Sequence, residues 1–144
     1  MQIENIVTGL NESAELIHKG NVTRGFYDGA FDKDGFPIKN TGELLMLVVS
    51  ELGEALEADR KNKQANLDSF EDEINTLNYR DISQKNGFIE AFRNHVKDTF
   101  QDEIADSVIR LLDMCGYLGI DIDRHINLKL AYNSTRPYKH GKNY

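Results

Sequence analysis

Apolar residues recur along this chain at helical spacing, and no stretch keeps the alternation of a half-buried strand. Residues 2–19 set Ile3, Ile6, Val7, Leu10, Ala14 and Ile17 on one side of a predicted helix, which Gly20 ends. A loop follows over residues 20–40, rich in glycine (20, 25, 29, 35) and aromatics (Phe26, Tyr27, Phe31, Phe36). Loops this long inside a domain are often functional. It is not a Walker loop, since no Gly-Lys-Ser/Thr follows its glycines. Asp32-Lys-Asp34-Gly35 suggests a calcium loop, but Ala30 and Thr41 stand at the first and twelfth ligand positions and reject it.

The next helix runs over about 42–61, with Thr41 as its N-cap and Glu43 complementing the dipole in its first turn. Residues 62–98 read as two short helices or one broken one, carried by Leu67, Phe70, Ile74 and Leu77. After Gly87, the residues Phe88, Ile89, Phe92 and Val96 take over. Asp98 or Thr99 caps a further helix to about Tyr117, closed by Gly119. Asp121 caps a last helix to about Ser134, and Pro137 prevents its continuation. The pattern predicts an all-α fold, a helical bundle of four to six helices in a single domain over 1–144.

One polar position breaks the pattern. On the wheel of the second predicted helix, Leu44, Leu45, Leu47, Val48, Leu52, Ala55 and Leu56 form a wide apolar sector. Glu43, Ser50, Glu57 and Arg60 fall opposite, as a solvated face should. Glu51 instead projects between Leu44, Leu47, Ala55 and Ala58, and Glu54 sits at the border one turn along. A carboxylate inside an apolar stripe is costly unless it is paired or binds a metal.

Composition narrows the setting. The chain has 144 residues, enough for one real core, and its low Pro count of 2 suits helices. Cys115 is the one cysteine; among Leu111, Leu112 and Leu118 it reads as a small buried hydrophobe, and no internal disulfide is available. A reducing cytoplasm is the expected compartment. No apolar run is long enough to span a membrane, and the start lacks a signal-peptide pattern. The net charge of −7 argues against a nucleic-acid polymer as partner. That charge is uneven: residues 124–144 carry Arg124, Lys129, Arg136, Lys139 and Lys142 and no acid, so all 24 acidic residues lie before them.

A second acidic pair, Glu103-Ile-Ala-Asp106, lies on the helix after Thr99. There Ile104, Ala105, Val108, Ile109, Leu111, Leu112 and Cys115 fill one half of the wheel, and Glu103, Asp106, Arg110 and Asp113 the other. Alone this is an ordinary amphipathic helix. Two helices each offering carboxylates one turn apart, however, can enclose a shared volume with the hard oxygen ligands Mg²⁺ requires. Neither helix arranges Cys and His for zinc.

The ordered set Glu51-x-x-Glu54 and Glu103-x-x-Asp106 resembles the split ExxE…ExxD signature of the MazG-like, all-α nucleoside triphosphate pyrophosphatases. The closing segment, with Lys129, Asn133 and Arg136 followed by Pro137, Lys139 and Lys142, resembles that superfamily's Lys…Asn…Arg tail. The resemblance covers roughly residues 41–61 and 98–142. Two features depart from it. Ser50 stands where the family often has an acid, and the 48 residues between Glu54 and Glu103 exceed the usual connection. That marks about 62–98 as an insertion serving as lid, base-recognition element or subunit contact.

The resemblance implies hydrolysis of a nucleoside triphosphate between its α- and β-phosphates, to monophosphate and pyrophosphate. Glu51, Glu54, Glu103 and Asp106 would hold Mg²⁺, with Mn²⁺ able to substitute, and Glu51 or Glu54 would serve catalysis. Glu51 is the favoured general base, because apolar surroundings raise a carboxyl pKa. Lys129, Asn133 and Arg136, at i, i+4 and i+7, would present phosphate-binding groups on one helical face. Lys61 and Arg110 are weaker phosphate candidates. The resemblance further implies a homodimer or a dimer of dimers, with a site built partly from two chains.

Two other readings compete. A ferritin-like di-iron bundle needs Glu-x-x-His on two helices. Glu15-x-x-His18 is the single such step, since Phe92, Ile122 and Pro137 precede His95, His125 and His140 by three. A non-catalytic helical module that oligomerises through apolar faces explains Glu103 and Asp106 but leaves Glu51 in its apolar sector.

Overall fold

The structure is a computed structural model that describes residues 6–76 and 83–137. The described residues form six α-helices and no strand, an all-α fold. These are α1 (Leu10–Thr23), α2 (Thr41–Arg60), α3 (Leu67–Thr76), α4 (Ser83–His95), α5 (Phe100–Leu118) and α6 (Ile122–Ser134). None is long and apolar enough to cross a membrane. Ile3, Leu77 and the tail from Tyr138 through Lys139 to Lys142 lie outside the described residues. The chain packs as two compact units. One is Thr41–Arg110; the other joins the residues up to Asn40 to those from Leu111.

In the second of these units the first helix differs from the expected 2–19. It starts at Leu10 because Asn127 captures the preceding backbone. The Asn127 Oδ1 atom accepts from Ile6 N and Val7 N at 2.9 Å each, while its Nδ2 donates to Val7 O at 2.8 Å. Bonds given to a side chain are lost to a helical ladder. Gly9 then turns with φ +87°, and Asp123 of α6 accepts from Gly9 N, Leu10 N and Asn11 N, capping α1 from a distance. Gly20 does not end the helix, which continues to Thr23. The chain leaves it through Gly25, whose φ of +83° suits a residue without Cβ. A small core of Ala14, Leu112 and Cys115, flanked by Leu10, Ile17, Ile120 and Ile122, holds α1, α5 and α6 together. Burial raises the Cys115 thiol pKa, as befits a packed hydrophobe rather than a nucleophile.

The aromatic-rich loop of this unit is tied down. The Tyr117 hydroxyl donates to Ala30 O at 2.6 Å and accepts from Lys39 N at 2.9 Å. The Asp32 carboxylate accepts from Asp34 N and Phe36 N and closes a local turn.

The unit Thr41–Arg110 contains α2, α3, α4 and the first half of α5. Residues 62–98 do form two helices. Asn66 caps α3 by accepting from Ser69 N at 3.0 Å, and its own N donates to His95 O at the end of α4. His95 Nε2 meets Glu73 Oε2 at 2.8 Å, and Phe70 packs edge-on against Phe88. Thr99, rather than Asp98, caps α5: its Oγ1 accepts from Asp102 N at 3.4 Å, while the Asp102 carboxylate accepts from Asp98 N at 2.9 Å.

The apolar sectors are divided in a way the wheels do not show. Along α2 the buried residues are Val48, Glu51, Ala55 and Ala58, whereas Leu45, Val49, Leu52 and Leu56 form an exposed stripe. On the first half of α5 the expected faces hold only in part: Asp106 and Arg110 are exposed, but Glu103 and Ser107 are buried, and Ile104, Val108 and Ile109 are exposed. A wheel separates apolar from polar, but neighbours decide which side is covered.

Candidate functional site

Within the Thr41–Arg110 unit, the middle of α2 and the first turns of α5 bring three acids together. One carboxylate oxygen each from Glu51, Glu103 and Asp106 lies within 4.8 Å of the other two. The helical period explains the convergence, because residues three or four apart share a face. Glu54 lines the same pocket at an exposed position outside that triad. Phe92, Lys97, Asp98, Asp102 and Arg110 complete a lining around about 480 Å³. A second acidic group, Asp98, Asp102 and Glu103, adjoins the first through Glu103.

The two buried acids differ in their partners. Arg110 Nε donates to Glu51 Oε1 at 2.6 Å, so the carboxylate in the apolar stripe of α2 is paired within the protein. This supplies the compensation such a position requires, and it comes from a residue that the sequence ranked low. Arg110 follows Asp106 by four and Glu103 by seven residues; that spacing was the available signal, since it sets all three on one face.

Glu103 is only 6 % exposed and its carboxylate makes no hydrogen bond among the described residues. Burial pushes its pKa up to about 6, and repulsion from Glu54, Asp102, Glu51 and Asp106 adds to the shift. Asp106 is likewise raised, first by burial and then by Asp102 and Glu51, with Arg110 opposing. The acid held protonation-prone is therefore Glu103, on the polar half of the α5 wheel.

An oxygen-only donor set in one volume, with no Cys or His in it, suits a hard cation such as Mg²⁺ better than a site that needs thiolate or imidazole ligands. The Glu15-x-x-His18 step, by contrast, is not assembled as a metal pair. Glu15 is exposed, and His18 Nδ1 meets Asp113 Oδ1 at 3.0 Å while its ring packs against Tyr27. Asn21 also donates to Asp113 at 2.8 Å.

The expected phosphate-binding residues are placed as follows. Lys61 lies just past α2 and meets Glu57 at 3.7 Å. Lys129 and Asn133 belong to α6, the former over the Tyr132 ring and the latter with its Oδ1 buried and unpartnered. Arg136 lies two residues beyond the end of α6 and exposed, so the three do not share one helical face as the spacing suggested. The helix ends at Ser134 because Thr135 and the approaching Pro137 terminate it. Searches against protein-family models, characterised proteins and solved structures find no match for this chain.

Proposed function

We propose that the carboxylate pocket of the Thr41–Arg110 unit binds Mg²⁺ and a nucleoside triphosphate and hydrolyses it to monophosphate and pyrophosphate. The observation that carries this reading is Glu103, a residue only 6 % exposed whose carboxylate lines the pocket, makes no hydrogen bond among the described residues, and has one oxygen each of Glu51 and Asp106 within 4.8 Å. Clustering four acids against one paired arginine works against stability, and such a cost is tolerated where chemistry needs it.

Glu51, Glu103 and Asp106 would hold the cation, with Glu54 completing the set from the pocket edge. When bound, the cation neutralises phosphate oxygens and lowers the pKa of the attacking water. Because Glu51 is engaged by Arg110, Glu54, whose carboxylate makes no hydrogen bond among the described residues, is the group free to accept the water's proton. Lys129, Asn133 and Arg136 are proposed phosphate contacts on the resemblance of the tail alone. The exposed stripe of Leu45, Val49, Leu52 and Leu56, with Ile104 and Val108, supports a homodimer, since a second copy would cover apolar area otherwise left in water.

The Arg110–Glu51 pair would also suit a non-catalytic helical module, in which the acids serve only packing. That reading leaves Glu103 unexplained. Incubating the protein with Mg²⁺ and a panel of standard and modified triphosphates, then identifying the products, tests the proposal. Monophosphate and pyrophosphate are expected, and Asp106→Asn should abolish turnover while the far-ultraviolet helical signal persists. An Asp106→Asn variant with near-normal turnover would remove this pocket as the active site.

A further inference from the structure

The geometry points to Arg110 as a resident counter-cation, which holds Glu51 in the metal-free protein, yields it to a divalent cation, and then offers its freed guanidinium to a nucleotide phosphate. This inference rests on the metal-and-nucleotide reading of the pocket.

The asymmetry of the ion pair carries the argument. The Glu51 side chain is 9 % exposed and Arg110 is 42 % exposed. If the pair opens, the guanidinium regains water cheaply, whereas the carboxylate stays in its apolar stripe and needs another cation at once. The anion is fixed and the cation is exchangeable. The bond itself runs from Nε alone to a single oxygen, Oε1, and lacks the two-pronged hold that makes arginine–carboxylate pairs tight.

Charge around the pair points the same way. Glu103 and Asp106 stand within 4.8 Å of the Glu51 carboxylate, and Glu54 lines the same pocket. Among the described residues Arg110 is the one cation ion-paired to these four acids, while Lys97 in the same lining is engaged by Asp98. One positive charge leaves the cluster strongly negative, so exchange for a divalent cation is electrostatically favoured. Arg110 itself lines the pocket, so on release its planar donors are already where a phosphate would enter. Metal and arginine thus compete for one carboxylate, and linkage requires that removing either strengthens the hold of the other.

Arg110→Met, which keeps side-chain length and removes the charge, tests the inference in three measurements that need no turnover. Melting in excess chelator should show the variant less stable than wild type, because Glu51 loses its partner. Calorimetric titration with Mg²⁺ in the absence of nucleotide should show tighter binding, on the order of tenfold. Binding of an α,β-methylene triphosphate in saturating Mg²⁺ should weaken by a similar factor. A variant that binds Mg²⁺ equally or more weakly would mean that Arg110 orients Glu51 for the metal, and would overturn the exchange. Unchanged nucleotide affinity would overturn the phosphate role.

Should Arg110→Met fail to fold without metal, the wild-type protein supplies the answer. The Arg110 Nε–H signal in a ¹⁵N spectrum should lose its hydrogen-bonded shift as Mg²⁺ is added, and a signal that stays put refutes the exchange. Wild-type protein that takes up no Mg²⁺ at all would overturn both this inference and the function on which it rests. Wild-type uptake with no gain in Arg110→Met overturns the inference alone.

Discussion

Neutralising Glu103 should stabilise the metal-free protein. In the folded chain this carboxyl titrates near 6, against an ordinary value of 4.5. A folded-state pKa above the unfolded one means that folding favours the protonated form. The group therefore costs little below pH 4.5, and its cost grows as the pH rises through the window from 4.5 to 6. Above that window the penalty is constant, at about 2 kcal/mol for a shift of this size. Glu103 is 6 % exposed overall but its carboxylate lines an open pocket, so solvent screening makes that figure an upper bound.

Glu103→Gln keeps the volume and removes the charge. At pH 7.5 in excess chelator it should gain up to about 2 kcal/mol, equivalent to roughly 4–8 °C in melting temperature for a chain of this length. At pH 4.5 the gain should shrink to a few tenths of a kcal/mol, because the wild-type side chain is then largely protonated in the folded state. Addition of Mg²⁺ should raise the wild-type melting temperature and leave the variant where it was, since the variant has lost a charged ligand. Melts of both proteins at the two pH values, with and without Mg²⁺, check all of this. A variant less stable than wild type at pH 7.5, or equally shifted at both pH values, would show that Glu103 is satisfied in the folded protein and would refute the electrostatic argument for the site.

Asn127→Ala should cost about 2–4 kcal/mol in chemical denaturation, because Ile6 N and Val7 N lose their acceptor and Val7 O its donor. Loss of the same contacts should make the segment before α1 the first point of proteolytic cleavage. Gly116→Ala should also destabilise, since a Cβ there would stand 2.7 Å from both the Ala14 backbone oxygen and His18 Cβ. The clash, about 1–3 kcal/mol, should exceed the roughly 1 kcal/mol that alanine gains in a helix; a raised melting temperature would refute the close approach of α1 and α5.

The periodic pattern by itself determined the helical class, because apolar residues at i, i+3, i+4 and i+7 leave few alternatives once no strand alternation competes. It also located the middle of every helix and the cap at Asp121, while leaving open whether 62–98 held two helices or one broken one. The two acidic pairs were legible for the same reason, and Glu51 stood out as a carboxylate on the buried side, which it is. Local spacing did not reveal the start of α1. That boundary is set by Asn127 and Asp123, more than 110 positions away in sequence, whose side chains take the backbone donors the first turn would otherwise keep.

Packing alone decided which acids are buried and what compensates them. A wheel ranks the faces of one helix but contains no neighbour, so Glu103 read as solvated when it is the most enclosed acid of the cluster. It likewise could not show that Arg110 of α5 reaches Glu51 of α2 across 59 positions of sequence. The physical reason is the range of the forces involved. Helix formation is governed by contacts within a turn or two, whereas the cost of a charge depends on every group within several ångströms, and that list exists only in the folded chain.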